Sequence, residues 1–160
     1  MFFTTTGWGG ASIEELTYRH QYDFFQSQLQ MTLNRFGKID GILFHQGKSN
    51  HSSNHKSEYG KGSSESYKKD SLILVQKVRG VTDAPIYLSQ ASLCKSSSDK
   101  ILLDIQDEII REEQGVLRGP NSDLLDDRRY RLPDYCHFSS AGLDELSKMW
   151  VESIIKSSEN

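Results

Sequence analysis

Three apolar runs of strand length, at residues 2–6, 39–44 and 85–89, are separated by long stretches of helical periodicity. Each run is too short for a helix and rich in β-branched or aromatic side chains. Their faces do not alternate strictly between apolar and polar, as expected of parallel strands covered on both sides. Alternating strand and helix constrains the chain to an α/β fold with a parallel sheet. At 160 residues it suffices for one domain, 1–160, with a single core.

The helical segments carry their own punctuation. Ser12-Ile13-Glu14-Glu15 has the form of a capping box, and the apolar stripe after it runs from Ile13 to Phe36 and stops at Gly37. His20 falls on that stripe and reads as a core histidine. Further helices are predicted over 64–79, over 99–114 with Gly115 as the C-terminal cap, and from Ser139 or Ser140 onward. Two segments lack periodicity. Residues 48–66 are dense in Ser, Asn, His, Lys and Gly, and 119–135 mix Gly, Pro, Asn, Asp and Arg. Long loops after the strands of an α/β sheet are where sites are built.

Composition removes several function classes. Net charge is −3, from 19 basic and 22 acidic residues, and no basic patch interleaved with aromatics argues for nucleic acid as a partner. No apolar run approaches the roughly 18 residues needed to cross a bilayer. Residues 1–7 lack the charged start and apolar length of a signal peptide, so the sequence names no compartment. Cys94 and Cys136 are too few for a disulfide scaffold and read as reduced thiols.

The strongest local signal is Asp134-Tyr135-Cys136-His137-Phe138-Ser139, just ahead of the last helix. An aspartate three residues before a histidine lets one turn bring carboxylate and imidazole together, orienting the ring for work as a base. A loop histidine that caps the following helix is the alternative. Gly9-Gly10-Ala11-Ser12-Ile13 opens the first helix, where backbone N–H groups can face a developing oxyanion. Phe44-His45-Gln46-Gly47-Lys48-Ser49-Asn50 follows the second apolar run and places side-chain amides at a strand's carboxyl end. His45, His51 and His55 invite a metal reading, but His51 and His55 share a face only in a helix, and His-Ser-Ser-Asn-His is poor helix sequence.

In this order the three segments resemble the SGNH (GDSL-like) hydrolases, in the branch of the sialate O-acetylesterases and related carbohydrate acetylesterases. The resemblance spans about residues 5–155. It implies a flavodoxin-like three-layer fold, helices on both faces of a parallel sheet of order 2-1-3-4-5, with the first two strands missing from this sequence. It implies an acetylated carbohydrate as substrate, His137 as general base, Asp134 as its orienting partner, and Gly10 with Gln46 or Asn50 as oxyanion-hole donors, Gln46 preferred. No cofactor or metal is implied.

Two departures stand out. The family's nucleophilic serine lies in a block upstream of the Gly-Gly segment, and no such block occurs here. Ser12 is accounted for as a helix cap, and Ser49 matches a position that is not the nucleophile. The expectation is therefore a truncated or relic domain, inactive alone or serving as a glycan- or protein-binding module. The edge of the run at 2–6 would be open to self-association. Lys48, where the branch usually has glutamate, is the second departure. It reads as a solvated lysine, a contact for an anionic sugar, or a mark of relaxed selection.

Overall fold

The computed structural model describes residues 2–51 and 64–159. Their elements run α1 (Ile13–Tyr18), α2 (His20–Phe36), β1 (Ile42–Phe44), α3 (Ser64–Arg79), β2 (Ile86–Gln90), α4 (Lys100–Glu112), β3 (Val116–Asn121) and α5 (Ser140–Ser158). The strands form a parallel sheet in the order β1-β2-β3, with Ile42 beside Ile86 and Ile86 beside Val116. Helix α4 packs on β2 and β3, and α5 packs on β3. This is an α/β sheet flanked by helices, consistent with the flavodoxin-like SGNH architecture.

The capping box forms as the sequence predicts. Ser12 Oγ accepts from Glu15 N, and the Glu15 carboxylate accepts from Ser12 N at 2.8 Å. The single helix expected from Ile13 to Phe36 is two, because Arg19 adopts extended backbone between α1 and α2. At the break, Lys77 Nζ of α3 donates to the carbonyl of buried Thr17 at 2.6 Å. Helix α2 ends at Gly37 in the left-handed conformation, φ 74°, as its position predicts. Asp99 caps α4 and Ser139 caps α5. His20 is exposed rather than buried in the core. It lies edge-on to Trp8 at 5.1 Å.

Two strand assignments change. Residues 2–6 form no strand, and Phe2 is 79% exposed while stacking on Phe36 at 4.9 Å. The third strand is instead Val116–Asn121. Its Gly119 and Pro120 are atypical of a strand, and both are explained by position. A Cβ on Gly119 would lie 2.9 Å from the Leu88 carbonyl, and the register slips between Leu88 and Gln90. Glycine permits the close approach, and proline, which has no N–H, sits where the ladder is interrupted.

Ile86, Leu88 and Val116 of the sheet pack with Ile13, Leu29, Tyr67, Leu74, Val78, Leu102 and Ile109 in one core. The sheet's edges are therefore β1 and β3, not the 2–6 segment, and Leu43 of β1 is exposed. Residues of β1 line a cavity of about 1220 Å³ together with 2–11, Phe25 and Leu29 of α2, and Leu74 and Val78 of α3. The cavity also reaches Gln46 and Lys48.

Candidate active site

All three strands deliver their loops to one rim, the carboxyl end of the sheet. Gln106 of α4, fully buried, ties the first two loops together. Its Nε2 donates to the Gln46 carbonyl at 3.0 Å and the Ala91 carbonyl at 3.3 Å, while its Oε1 accepts from Ala91 N at 2.9 Å. Asp123, just after β3, accepts from Ser92 N and Leu93 N, each at 2.8 Å, and so binds the second loop to the third.

The loop after β1 turns toward the first helix. Gln46 Nε2 donates to the Ala11 carbonyl at 3.2 Å and to Asn50 Oδ1 at 2.7 Å. Asn50 Oδ1 also accepts from Ile13 N at 2.9 Å. These partners fix both amide orientations, because Ala11 O can only accept and Ile13 N can only donate. Gln46 Oε1 and Asn50 Nδ2 are then left buried without partners. The unpaired donor in this pair belongs to Asn50. Gly10, φ 74°, turns the chain immediately before these contacts.

The same loop reaches the histidine turn on its other side. Lys48 Nζ donates to the Cys136 carbonyl at 2.7 Å, and the His45 ring lies 5.9 Å from that of Phe138. The segments around Gly10, Gln46 and His137 thus meet through the loop after β1. Within the turn, His137 Nδ1 lies 2.6 Å from Asp134 Oδ2, and Asp134 Oδ1 accepts from the N–H groups of Cys136 and His137 at 2.9 and 3.0 Å. The backbone and ring N–H groups of His137, followed by the backbone of Cys136, stabilise the carboxylate and hold its pKa down at about 2. The imidazole itself is 75% exposed. No serine hydroxyl among the described residues lies within hydrogen-bond distance of it.

Several groups here carry no legible signal in the sequence. Cys94 and Cys136 are joined in a disulfide, correcting the expectation of two reduced thiols. Their separation of 42 residues matches no recognisable spacing, and only the fold brings them together. Arg131 is buried; its guanidinium donates to the carbonyls of Leu125 and Ser122 at 2.6 and 2.7 Å and lies 4.1 Å from the Phe138 ring centroid. Lys48 Nζ lies 4.1 Å from the same centroid. Lys48 is therefore not the solvated lysine its loop suggested. Burial, reinforced by the Arg131 charge, pulls its pKa to about 8.

The other histidines have separate roles. His45 Nε2 is 3.0 Å from Ser122 Oγ, and burial, with the Lys48 and Arg131 charges, lowers its pKa to about 4. Its ring is neutral at pH 7. His51 Nε2 is 3.2 Å from the Ser97 carbonyl. His55 lies outside the described residues. No group of three or more His, Cys, Asp or Glu side chains placed to hold a metal occurs among the described residues.

Comparison with known proteins adds one decisive finding. The family model described as "Carbohydrate esterase, sialic acid-specific acetylesterase" matches residues 4–156. The chain belongs to this carbohydrate esterase family. No curated protein and no solved structure matched it.

Proposed function

We propose that the site is that of a carbohydrate O-acetylesterase acting on acetyl esters of sugars such as sialic acid or polysaccharide units. The observation that carries this reading is the contact of one loop, His45 to Asn50, with both the Gly10–Ile13 turn and the Cys136–Phe138 turn. His137 is the general base and Asp134 its orienting partner. The ring nitrogen bonded to Asp134 is Nδ1, which leaves Nε2 to take a proton from a serine hydroxyl as it attacks the ester carbonyl. The oxyanion then draws on the Gly10 backbone and an amide side chain. Asn50 fits the amide role better than Gln46, whose Nε2 is committed to Ala11 and Asn50. Collapse, with protonated His137 giving its proton to the departing sugar oxygen, releases the deacetylated sugar and leaves an acetyl-serine, which water attacks with His137 again as base to release acetate and restore the serine.

The serine is assigned to none of the described residues. That favours a second reading, a domain without turnover of its own that binds glycan or protein through the same site. A fluorophosphonate probe separates the two. Covalent labelling of the chain that disappears in His137→Ala supports the esterase. Absence of labelling, with retained affinity for an acetylated sialoside in calorimetry, supports the binding module.

A further inference from the structure

The imidazole of His137 is 75% exposed and bonded to Asp134 of the same turn, so its alignment depends on the backbone of that turn. That turn contains a costly conformation: Tyr135 has φ 55°, in the left-handed region that non-glycine residues avoid. A turn with such a residue relaxes unless its neighbours are fixed. Both residues flanking His137 are. Cys136 is bonded through sulfur to Cys94, and its carbonyl accepts from Lys48 Nζ at 2.7 Å and Arg131 Nη1 at 3.4 Å. Phe138 offers its ring to the same two cations.

The far end of the disulfide is well anchored. Cys94 is buried, and its backbone exchanges two hydrogen bonds with Ser97, at 3.0 and 3.2 Å. The preceding residues, Ser92 and Leu93, donate to buried Asp123. The sulfur bridge thus connects the exposed histidine turn to the fixed loop after β2.

We propose that Cys94 and Cys136 are positioning residues, whose disulfide holds His137 in register with Asp134, so that reduction uncouples the pair while the sheet stays folded. The consequence for turnover rests on the esterase reading, whereas the geometric claim does not. Reduction by a dithiol proceeds by thiolate attack on one sulfur and resolution by the second thiol. Two electrons and two protons pass to Cys94 and Cys136, and the reagent leaves as a cyclic disulfide.

The test uses the full chain, isotope-labelled, before and after dithiothreitol, with thiol titration to establish that both cysteines are free. Two signatures report the pair: the downfield proton resonance of the His137 Nδ1–H bonded to Asp134, and hydrogen exchange at the amides of Cys136 and His137. Reduction is expected to abolish the resonance and speed exchange at both amides by about tenfold or more, while the amides of β2 stay protected. Reoxidation restores both signatures, and Cys94→Ser with Cys136→Ser reproduces the loss without reductant. An unchanged resonance with two free thiols overturns the proposal. So does parallel loss of protection in β2, which would make the bridge a support of the whole fold. Failure of the esterase reading looks different: no fluorophosphonate labelling, with a resonance that still responds to reduction.

Discussion

Asn50 accepts the backbone N–H of Ile13 through Oδ1 at 2.9 Å, which ties the loop after β1 to the first turn of α1. The bond is buried, and it orients the amide so that Nδ2 is the atom left over. Asn50→Ala strands the Ile13 N–H away from water. The expected loss is about 1–3 kcal/mol of stability, the usual cost of a buried unsatisfied donor. Urea denaturation with an unchanged m-value checks it. In any form of the protein that turns over acetyl esters, the same variant should lose about 100-fold or more in kcat, as removal of an oxyanion donor does.

Asp134 sets the acid limit of the histidine turn. Its pKa is lowered by folding, to about 2, so its stabilising contribution is complete above the unfolded value near 3.8. The contribution is lost as pH falls through that window toward 2. The expected outcome is that the amide shifts of Cys136 and His137 titrate together below about pH 4, with a midpoint near 2. Asp134→Asn should remove this transition, and an NMR pH series reads both.

The elements legible in the sequence are those whose signals are local. The capping box at Ser12, the stop at Gly37 and the cap at Ser139 concern hydrogen bonds within a turn, and all three form. The Asp134–His137 contact is of the same kind, three residues apart. What could not be read is what the tertiary structure decides. Residues 2–6 have the side chains of a strand but no strand beside them, while Val116–Asn121 has a glycine and a proline yet pairs along β2. Helical periodicity passes unbroken through Arg19 because α1 and α2 each keep an apolar face, although the backbone does not stay helical. The disulfide, the Arg131 carbonyl contacts and the placement of Lys48 against Phe138 all join distant segments, so no window of sequence contains them.

His45 should dominate the response to mild acid. Folding lowers its pKa from 6.5 to about 4, chiefly because burial disfavours the cation. Between those values the unfolded chain binds the proton and the folded chain does not, so stability falls as pH drops from 6.5 toward 4. The full swing is about 3 kcal/mol at 1.36 kcal/mol per pKa unit. Denaturant midpoints at pH 7 and pH 4.5 measure it. His45→Gln, which does not titrate, should flatten most of the slope.

Gly47 marks a close approach between two of the loops that build the site. A Cβ there would lie 1.7 Å from the Ala91 carbonyl oxygen and 2.7 Å from Gln106 Nε2. Neither neighbour can yield cheaply, since Ala91 is backbone and Gln106 is held by four hydrogen bonds to both loops and to Tyr67. Gly47→Ala must therefore drive the loops after β1 and β2 apart, at an expected cost of about 3 kcal/mol or more. Two controls separate contact from conformation. Gly37→Ala meets no atom within 4 Å and suffers only its φ of 74°, a cost of about 1–2 kcal/mol. Gly9→Ala meets no atom and has no positive φ, so its midpoint should shift least. Thermal melts of the three variants should rank Gly47 far below Gly37, and Gly37 below Gly9. A Gly47→Ala protein as stable as Gly37→Ala would mean that the loops after β1 and β2 do not meet at Ala91.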